Sequence, residues 1–172
     1  MKKDPNAPFK EKFYSLNAGL IQWDAFSSGD ELAVKDEETG LVWLDLSVTV
    51  GQHFDSVQEL FSGWEFASTQ AVEALLISAF SNIQFSGELG EPKKFEQRCA
   101  NSSSCYESAK MWQRLFGAIS GTRVYQTHSY GFYKDSSNIL RMGGSYLNGS
   151  GSANRYGVDF TENYDLNYDQ KY

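Results

Sequence analysis

The stretch at 41–48, LVWLDLSV, is apolar at nearly every position, and it limits what the chain can fold into more than any other segment. A short, continuously apolar run is typical of a strand that is covered on both faces. The indole at its centre needs a sizeable core and an acceptor for its N–H group. We therefore predict that Trp43 is buried between a sheet and helices. We also predict that Asp45 binds a turn or a backbone amide at the end of the strand.

Strand patterns occur before this stretch and again late in the chain. Segments 20–26 and 31–36 flank a Ser-Gly-Asp turn, which is typical of a β-hairpin. Segments 123–135, 137–149 and 153–160 are rich in Tyr, Gly and Ser and are separated by short turn signals. Their composition predicts an antiparallel meander of three strands.

Helical periodicity occurs in the middle of the chain. Segment 68–83 repeats apolar residues at helical spacing, contains no Pro or Gly, and begins with a serine suited to cap it. Segment 104–118 predicts a second helix, which ends near two glycines. A shorter helix is predicted at 54–61, with Asp55 or Ser56 as its N-cap.

The order of strands, helices and further strands predicts an α+β fold, with two helices packed on one face of a largely antiparallel sheet. The length of 172 residues suits one domain with a sizeable core. Residues 1–16 contain two prolines and several lysines, and they predict an extended N-terminal arm. We expect residues 17–172 to form a single globular domain, with a loop-like segment at 84–104.

The charge of the chain disfavours two classes of partner. The formal net charge is −7 and the isoelectric point is about 4.8. Nucleic-acid binding needs clustered Lys and Arg, and so does attraction to an anionic membrane surface. No apolar run approaches the ~20 residues of a membrane span, and the first ten residues lack the apolar segment of a signal peptide. We therefore expect no nucleic-acid partner and no membrane insertion.

The two cysteines, Cys99 and Cys105, are separated by five small or polar residues. This spacing can close a small disulfide ring, which would add about 2 kcal/mol of stability by chain-entropy reasoning. The alternatives are two free thiols or a redox pair, since a metal site needs further ligands. A disulfide indicates an oxidising compartment, so we expect a secreted or cell-surface protein whose signal peptide is no longer present.

A catalytic constellation is not evident. The two histidines are His53, which lies close to Asp55, and His128, on a predicted strand. We expect His53 to lie on the surface or in an N-terminal helical turn, and His128 to be structural or solvent-facing. Carboxylates are grouped, as at 36–38, which leaves a secreted hydrolase with paired carboxylates as an alternative. Catalysis is otherwise not expected.

Segment 140–157 has the composition of a binding surface, with rigid aromatic and adaptable polar side chains. It lacks the Gly-Lys-Ser/Thr ending of a phosphate loop. A sugar could stack on a tyrosine here while amide and guanidinium groups bind its hydroxyls, although an ordinary Gly-rich hairpin has the same composition. The candidate ligand-binding residues are Tyr146, Asn148, Asn154, Arg155 and Tyr156.

The acidic C-terminal end supplies oxygen ligands of the kind that a hard cation needs. Calcium is the candidate ion, and no other cofactor is expected. The run does not match the EF-hand pattern, and a solvated acidic end is the alternative. The candidate metal ligands are Asp159, Glu162, Asp165 and Asp169.

Four segments together carry a family resemblance: GLVWLDL at 40–46, GWEFASTQAVEAL at 63–75, LFG at 115–117 and GFYKD at 131–135. They resemble a module of bacterial secreted and surface proteins, many of which carry PEP-CTERM sorting tails. In that module a Gly-Leu-x-Trp-Leu-Asp-Leu-Thr strand precedes a Gly-Trp-x-x-Ala-Thr-x-x-Glu-Val helix start. The resemblance implies an exported domain that binds rather than catalyses, and it supplies no catalytic residues.

Two more distant likenesses bear on the ligand. The tryptophan strand and helix start are similar to the C-terminal domain of collagen-like bacterial adhesins. LRMGGSY at 140–146 is similar to the Arg-Gly-Gly-Ser-Trp strand of C-type-lectin-like and formylglycine-generating folds, with Met142 inserted and Tyr146 in place of Trp. They imply an adhesion module with a lectin-like fold and an extracellular glycan or protein ligand. The alternative is a structural subunit that forms a homo-oligomer through its Tyr-rich C-terminal strands.

Overall fold

The structure is a computed structural model. It describes residues 19–80, 95–98, 103–120, 126–148 and 155–161. Only the backbone is described at 95–98, 103–105, 119–120, 126, 148 and 155–161. The predicted N-terminal arm and most of the predicted loop at 84–104 lie outside the described residues.

Nine strands, three α-helices and one 3₁₀ helix form in the described part of the chain. The strands are β1 Leu20–Trp23, β2 Ala33–Asp36, β3 Val42–Leu44, β4 Ala67–Ser68, β5 Phe95–Arg98, β6 Ile119–Ser120, β7 Gln126–Lys134, β8 Leu140–Asn148 and β9 Arg155–Thr161. The helices are α1 Phe54–Leu60, α2 Thr69–Ala79 and α3 Ser103–Phe116, and the 3₁₀ helix is Leu46–Thr49.

The strands are arranged in two sheets. β1, β2 and β3 form a three-stranded antiparallel sheet. The second sheet has six strands in the order β4-β7-β8-β9-β5, with β6 beside β7. Its centre, β7-β8-β9, is the predicted antiparallel meander. Because β8 pairs along the whole of β7, the short strands β4 and β6 both lie on the other side of β7.

This architecture confirms the predicted α+β class, but the described residues form three α-helices and two sheets rather than two helices on one sheet. β5 forms within the predicted loop at 84–104. Its sequence, FEQR, has one apolar residue and lies at the edge of the second sheet. Short, charged edge strands lack the apolar run by which strands are recognised in a sequence.

The first sheet is covered on both faces, as the apolar run at 41–48 predicted. Val34 and Trp43 are cross-strand partners, and both belong to the main core, which includes residues of α2 and α3. Ala33 and Val42 belong instead to a smaller cluster that contains Trp64. Trp43 is 8 % exposed, so the prediction of a buried indole is confirmed.

The strand predicted over 41–48 ends earlier, at Leu44. Asp45 is the cause, since its Oδ1 accepts a hydrogen bond from the Ser47 N–H at 2.7 Å and caps the 3₁₀ helix. A side chain that binds a nearby backbone N–H offers the chain an alternative to the sheet. Asp45 therefore binds a backbone amide at the end of the strand, as predicted.

The N-cap residue predicted for α2 is confirmed, and the N-cap residues predicted for α1 are wrong. Ser68 caps α2, and its Oγ accepts from the Ala71 N–H at 3.2 Å. His53, rather than Asp55 or Ser56, is the N-cap residue of α1, without a side-chain capping bond. Asp55 lies in the first turn, where a negative charge is favourable to the helix dipole. None of the residues of α1 is buried.

Candidate ligand-binding cavity

Several aspartates of the described chain fix turns. Asp36 is fully buried; its Oδ1 accepts from the Glu38 N–H at 2.9 Å and its Oδ2 from the Thr39 hydroxyl at 2.8 Å. Asp30 accepts hydrogen bonds from the backbone N–H groups of 25, 26, 27 and 32. Burial by itself would raise the pKa of Asp30, but these bonds outweigh it and hold the pKa well below its usual value.

Asp135 fixes the turn between β7 and β8 in the same way. Its Oδ1 accepts from the N–H groups of Ser137 at 2.9 Å and Ile139 at 2.8 Å. Its Oδ2 accepts from Arg141 Nε at 2.8 Å and lies 2.7 Å from Arg141 Nη2. Burial alone would raise the pKa of Asp135, but the backbone N–H groups and the guanidinium lower it overall. These carboxylates are therefore committed to turns.

A cavity of about 190 Å³ lies against the middle of β7. β6 pairs with β7 at His128, and β4 pairs with it at Tyr133. Between those points no strand of the described chain pairs with this side of β7. The cavity is lined there by Tyr130, Gly131 and Phe132. Met142 and Gly143 of β8 also line it, so the cavity lies against both central strands, beside the part of β7 that neither β4 nor β6 pairs with.

The walls of the cavity come from β3, the 3₁₀ helix, α1, β4, α2, α3, β7 and β8, and most of their side chains are hydrophobic. Three indoles border it, those of Trp43, Trp64 and Trp112. The polar or charged lining residues in the described chain are Thr49, Gln52, Gln58, Glu65 and His128, with the Tyr130 phenol. The cavity suits a ligand that is largely apolar.

Two buried indoles of this cavity differ in hydrogen bonding. The Trp112 indole N–H donates to the Ser129 backbone oxygen at 3.1 Å. The Trp43 indole N–H is buried and has no acceptor among the described residues. Buried hydroxyl groups of Thr69, Ser78 and Ser145, which do not line the cavity, also have no hydrogen-bond partner among the described residues.

His128 lies at one end of the cavity and is partly buried. Its ring packs edge-on to Tyr130 at 5.1 Å and lies 6.5 Å from the ring of Tyr146. Burial lowers the pKa of His128, because it disfavours the charged imidazolium. The imidazole is therefore neutral at pH 7. The prediction that His128 is structural or solvent-facing did not include a place in the wall of a cavity.

His53 lies on the surface in the N-terminal turn of a helix, as predicted. Its Nδ1 is 3.4 Å from Asp55 Oδ2, and both side chains are mostly exposed. Neither residue lines the cavity. Glu65 is the one carboxylate that lines it within the described residues, so the paired carboxylates of a glycosidase are not found there.

The predicted sugar surface is described only in part. Tyr146 is 7 % exposed, which leaves little ring area for a sugar to stack on. Asn148 pairs with Arg155 across β8 and β9, and Tyr156 pairs with Leu147, so the backbone brings these candidates to one end of a hairpin. The side chains of Asn148, Arg155 and Tyr156 are not described, and Asn154 lies outside the described residues.

The predicted metal site and disulfide also fall largely outside the described residues. Asp159 lies on β9, while Glu162, Asp165 and Asp169 are not described. In the part of the chain that is described, no group of three His, Cys, Asp or Glu residues could hold a metal ion. Cys105 lies in the first turn of α3, and Cys99 is outside the described residues, so calcium and the disulfide stay predictions.

The cavity itself was not predicted, because its lining residues have the apolar pattern that is typical of a packed core. The apolar run at 41–48 predicted a buried strand and no site, yet Trp43, Leu46 and the adjacent Thr49 line the cavity. One available signal was the pair of glycines at 131 and 143, which face each other across β7 and β8. A Cβ on Gly131 would lie 2.8 Å from Leu46 Cδ2, so this glycine allows the 3₁₀ helix to approach the sheet closely.

Comparison with known proteins assigns no relative. No protein-family model matches the chain, and neither a curated protein nor a solved structure is significantly similar to it. Among the described residues, no helix has the length and apolar character required to cross a membrane.

Proposed function

We propose that the protein is an exported binding module that holds a small, largely apolar ligand in the cavity beside β7. The observation that carries the proposal is the cavity itself, with its three indoles and mostly hydrophobic walls. The extracellular setting rests on the resemblance to secreted and surface modules. In this proposal the cavity replaces the sugar surface at 140–157 as the candidate binding site.

The volume of the cavity limits the ligand to a small molecule or to one apolar side chain of a partner. Engineered cavities of about 150 Å³ with aliphatic and aromatic walls accept benzene. A cavity of about 190 Å³ accordingly suits a single substituted ring or a short branched chain. A sugar ring suits it poorly, since each buried hydroxyl without a partner costs about 1–3 kcal/mol.

The polar groups of the cavity support binding rather than catalysis. Glu65 is the one carboxylate in its wall within the described chain, and it has no second carboxylate with which to share acid and base roles. Asp45 follows the strand of Trp43 in the sequence, but its carboxylate caps the 3₁₀ helix and does not line the cavity. Such a cavity can position an apolar group but offers little means of activating a nucleophile.

Binding can be measured by NMR, because three of the four tryptophans border the cavity. We expect toluene to shift the indole N–H signals of Trp43, Trp64 and Trp112, while that of Trp23, which does not line the cavity, stays in place. Saturable shifts and a raised melting temperature would support the proposal. Uniform small shifts without saturation would contradict it.

A matched pair of substitutions locates the site. Val72→Phe adds volume inside the cavity, whereas Ile139→Phe adds the same ring at an exposed position outside it. We expect Val72→Phe to weaken toluene binding at least tenfold and Ile139→Phe to leave it unchanged. Near-UV circular dichroism of both variants checks that folding is retained, and undiminished binding by folded Val72→Phe would contradict the assignment.

A further inference from the structure

We propose that an exposed aromatic patch on the first sheet is a docking surface for a basic segment of a partner protein. The patch, called the Phe26 patch below, consists of Phe26, Leu60, Phe61 and Trp64. Phe26 is 53 % exposed and Leu60 is 57 % exposed, the two highest values among the large hydrophobic residues of the described chain. Of the four residues, Trp64 alone also lines the cavity, so this surface is distinct from the proposed ligand site.

The rings of the Phe26 patch are contiguous. The Phe26 ring lies 5.9 Å from the ring of Phe61 and 6.2 Å from that of Trp64. Trp64 is buried in the smaller cluster that covers the outer face of the first sheet, and Phe61 packs against that cluster. Phe26 therefore rests on a buried base while more than half of the residue is exposed to solvent. Aromatic side chains supported in this way supply much of the binding energy of protein interfaces.

The loop that presents Phe26 is held by two carboxylates. Asp30 accepts hydrogen bonds from four backbone N–H groups of the loop. Asp24 accepts from the N–H groups of Gly29 at 2.8 Å and Glu31 at 3.1 Å. Glu31 has a φ angle of 51°, which a residue with a side chain keeps only where its surroundings determine it. Because the loop is already ordered, a partner that binds Phe26 loses little free energy in ordering it.

The charge around the Phe26 patch indicates the kind of partner. Residues 19–80 contain eleven Asp and Glu residues, one Lys and no Arg. The one lysine, Lys35, places its ammonium group 4.3 Å from the centre of the Trp23 ring, in the same cluster of the sheet. A Lys or Arg of a partner can pack on the rings of the patch by the same cation–π attraction. Exposed carboxylates lie in the Phe26 loop or next to the other patch residues in the chain: Asp24, Glu31, Glu59 and Glu65.

Other occupants of the patch would meet electrostatic repulsion. A second copy in a symmetric dimer would place the same acidic rim against itself, and nucleic acid or an anionic membrane would bring further negative charge. A basic protein segment is attracted instead, and the attraction speeds its association and fixes its orientation. An apolar side chain of that segment can then pack against Phe26, as in the apolar centre of an interface with a polar rim.

The test uses a synthetic amphipathic helical peptide of leucine and lysine with two matched control peptides. One control has glutamate in place of lysine, and the other has serine in place of leucine. We expect the leucine–lysine peptide to bind at least tenfold more tightly than either control, with an affinity that falls as the salt concentration rises. Fluorescence anisotropy measures the affinities. Backbone amide NMR signals of residues 24–31 and 59–65 should shift on binding, and those of residues 37–41 should stay in place.

The first variant removes the exposed ring. We expect Phe26→Ser to weaken binding of the leucine–lysine peptide at least tenfold, as for a central interface residue. Ile139→Ser is the matched control, because Ile139 is 49 % exposed and lies in the turn between β7 and β8. This control should leave the affinity unchanged. Far-UV circular dichroism checks that both variants are folded.

Two double variants separate local charge from net charge. Glu31→Gln with Glu59→Gln removes two charges beside the patch, and we expect it to weaken binding about fivefold. Glu37→Gln with Glu38→Gln removes the same charge from exposed positions in the turn between β2 and β3, at the opposite end of the first sheet from the Phe26 loop. This second pair should change the affinity little.

Each contrary outcome overturns the inference. It fails if the leucine–lysine peptide does not bind, if binding survives Phe26→Ser, or if the two double variants lose affinity equally. Tighter binding of the glutamate peptide would reverse the assigned charge of the partner. A molecular mass that rises with protein concentration in the wild type but not in Phe26→Ser would assign the patch to a second copy instead. Toluene binding in the cavity is measured separately, so the proposed function and this inference can fail independently.

Discussion

The two sides of the main core treat a buried indole differently. On the side where α3 packs on β7, three side chains make hydrogen bonds. The Trp112 N–H donates to the Ser129 carbonyl, and the Ser129 hydroxyl donates to the Gly117 carbonyl at 2.6 Å. The side-chain amide of Gln113 donates through its nitrogen to the Thr127 carbonyl and accepts through its oxygen from the Thr127 hydroxyl. On the side of β3, the Trp43 N–H has no acceptor in the described chain, and a cavity adjoins the ring. The comparison shows that the first side completes the hydrogen bond of its indole, whereas the second leaves it incomplete among the described residues, beside the cavity that we propose as a binding site.

Replacing each indole by alanine should give the largest contrast between the two sides. We expect Trp112→Ala to lower the free energy of unfolding by about 5 kcal/mol and Trp43→Ala by about 3 kcal/mol, within the usual range for such truncations. The cost is higher at Trp112 because the Ser129 carbonyl also loses its donor. Urea denaturation measures both. A loss below about 1 kcal/mol at Trp43 would place that ring outside the core.

The turn after β7 also has its polar groups bonded, through Asp135, at the end of the strand far from α3. Asp135→Asn should lower the free energy of unfolding by about 3 kcal/mol, because it removes the charge that faces the nearly buried Arg141. Asp55→Asn, at a carboxylate that is 71 % exposed, serves as the control and should change stability little. Equal midpoints in urea for the two variants would show that the Asp135 turn is dispensable.

Phenylalanine substitutions sharpen the comparison by removing the N–H while keeping a ring. Trp112→Phe breaks a hydrogen bond, and Trp43→Phe breaks none in the described chain. We expect Trp112→Phe to cost about 1 kcal/mol more than Trp43→Phe. Chemical denaturation of both variants without ligand provides the measurement. Equal costs would mean that Trp43 has a partner of similar strength in solution.

The pH dependence of stability should show the smallest effect, and it arises at the cavity. The pKa of His128 in the native protein lies below 6.5, the ordinary value, because of burial. As the pH falls through that value, the unfolded chain takes up a proton before the native protein does, so stability decreases until the native pKa is reached.

His128→Gln should remove this part of the pH dependence, which denaturation at several pH values between neutral and mildly acidic would show. His53→Gln provides the control, since that side chain is 57 % exposed. Identical pH profiles for the wild type and His128→Gln would contradict the role of burial at His128.

Much of the framework could be predicted from the sequence, because periodicity records which face of an element is buried. The continuous apolar run around Val42 and Trp43 indicated a strand with two covered faces, and the serine before α2 indicated its cap. The strand boundary at Asp45 was harder, since an apolar run continues beyond it into the 3₁₀ helix. The local hydrogen bond from the Ser47 N–H to the Asp45 side chain ends the strand there.

The candidate site could not be predicted in the same way. An apolar residue that packs against a neighbour and one that borders a cavity look alike in a sequence, because the difference is a few ångströms of separation between elements. Within α2, Leu75 lines the cavity, while Leu76, the next residue, belongs to the same core cluster and does not line it. His128 reached the cavity wall through the register of β7 against β6 and β8, which composition does not specify.

In the proposed binding module, helix α1 would affect how fast a ligand enters and leaves the cavity. The helix has seven residues, none of them buried, and the glycines at 51 and 63, just beyond its two ends, adopt positive φ angles of 77° and 85°. Phe54, Val57 and Gln58 line the cavity from this helix. A segment with so few packed contacts opens at little free-energy cost, so arrival and departure rates would depend on α1 while affinity depends on the tryptophans behind it.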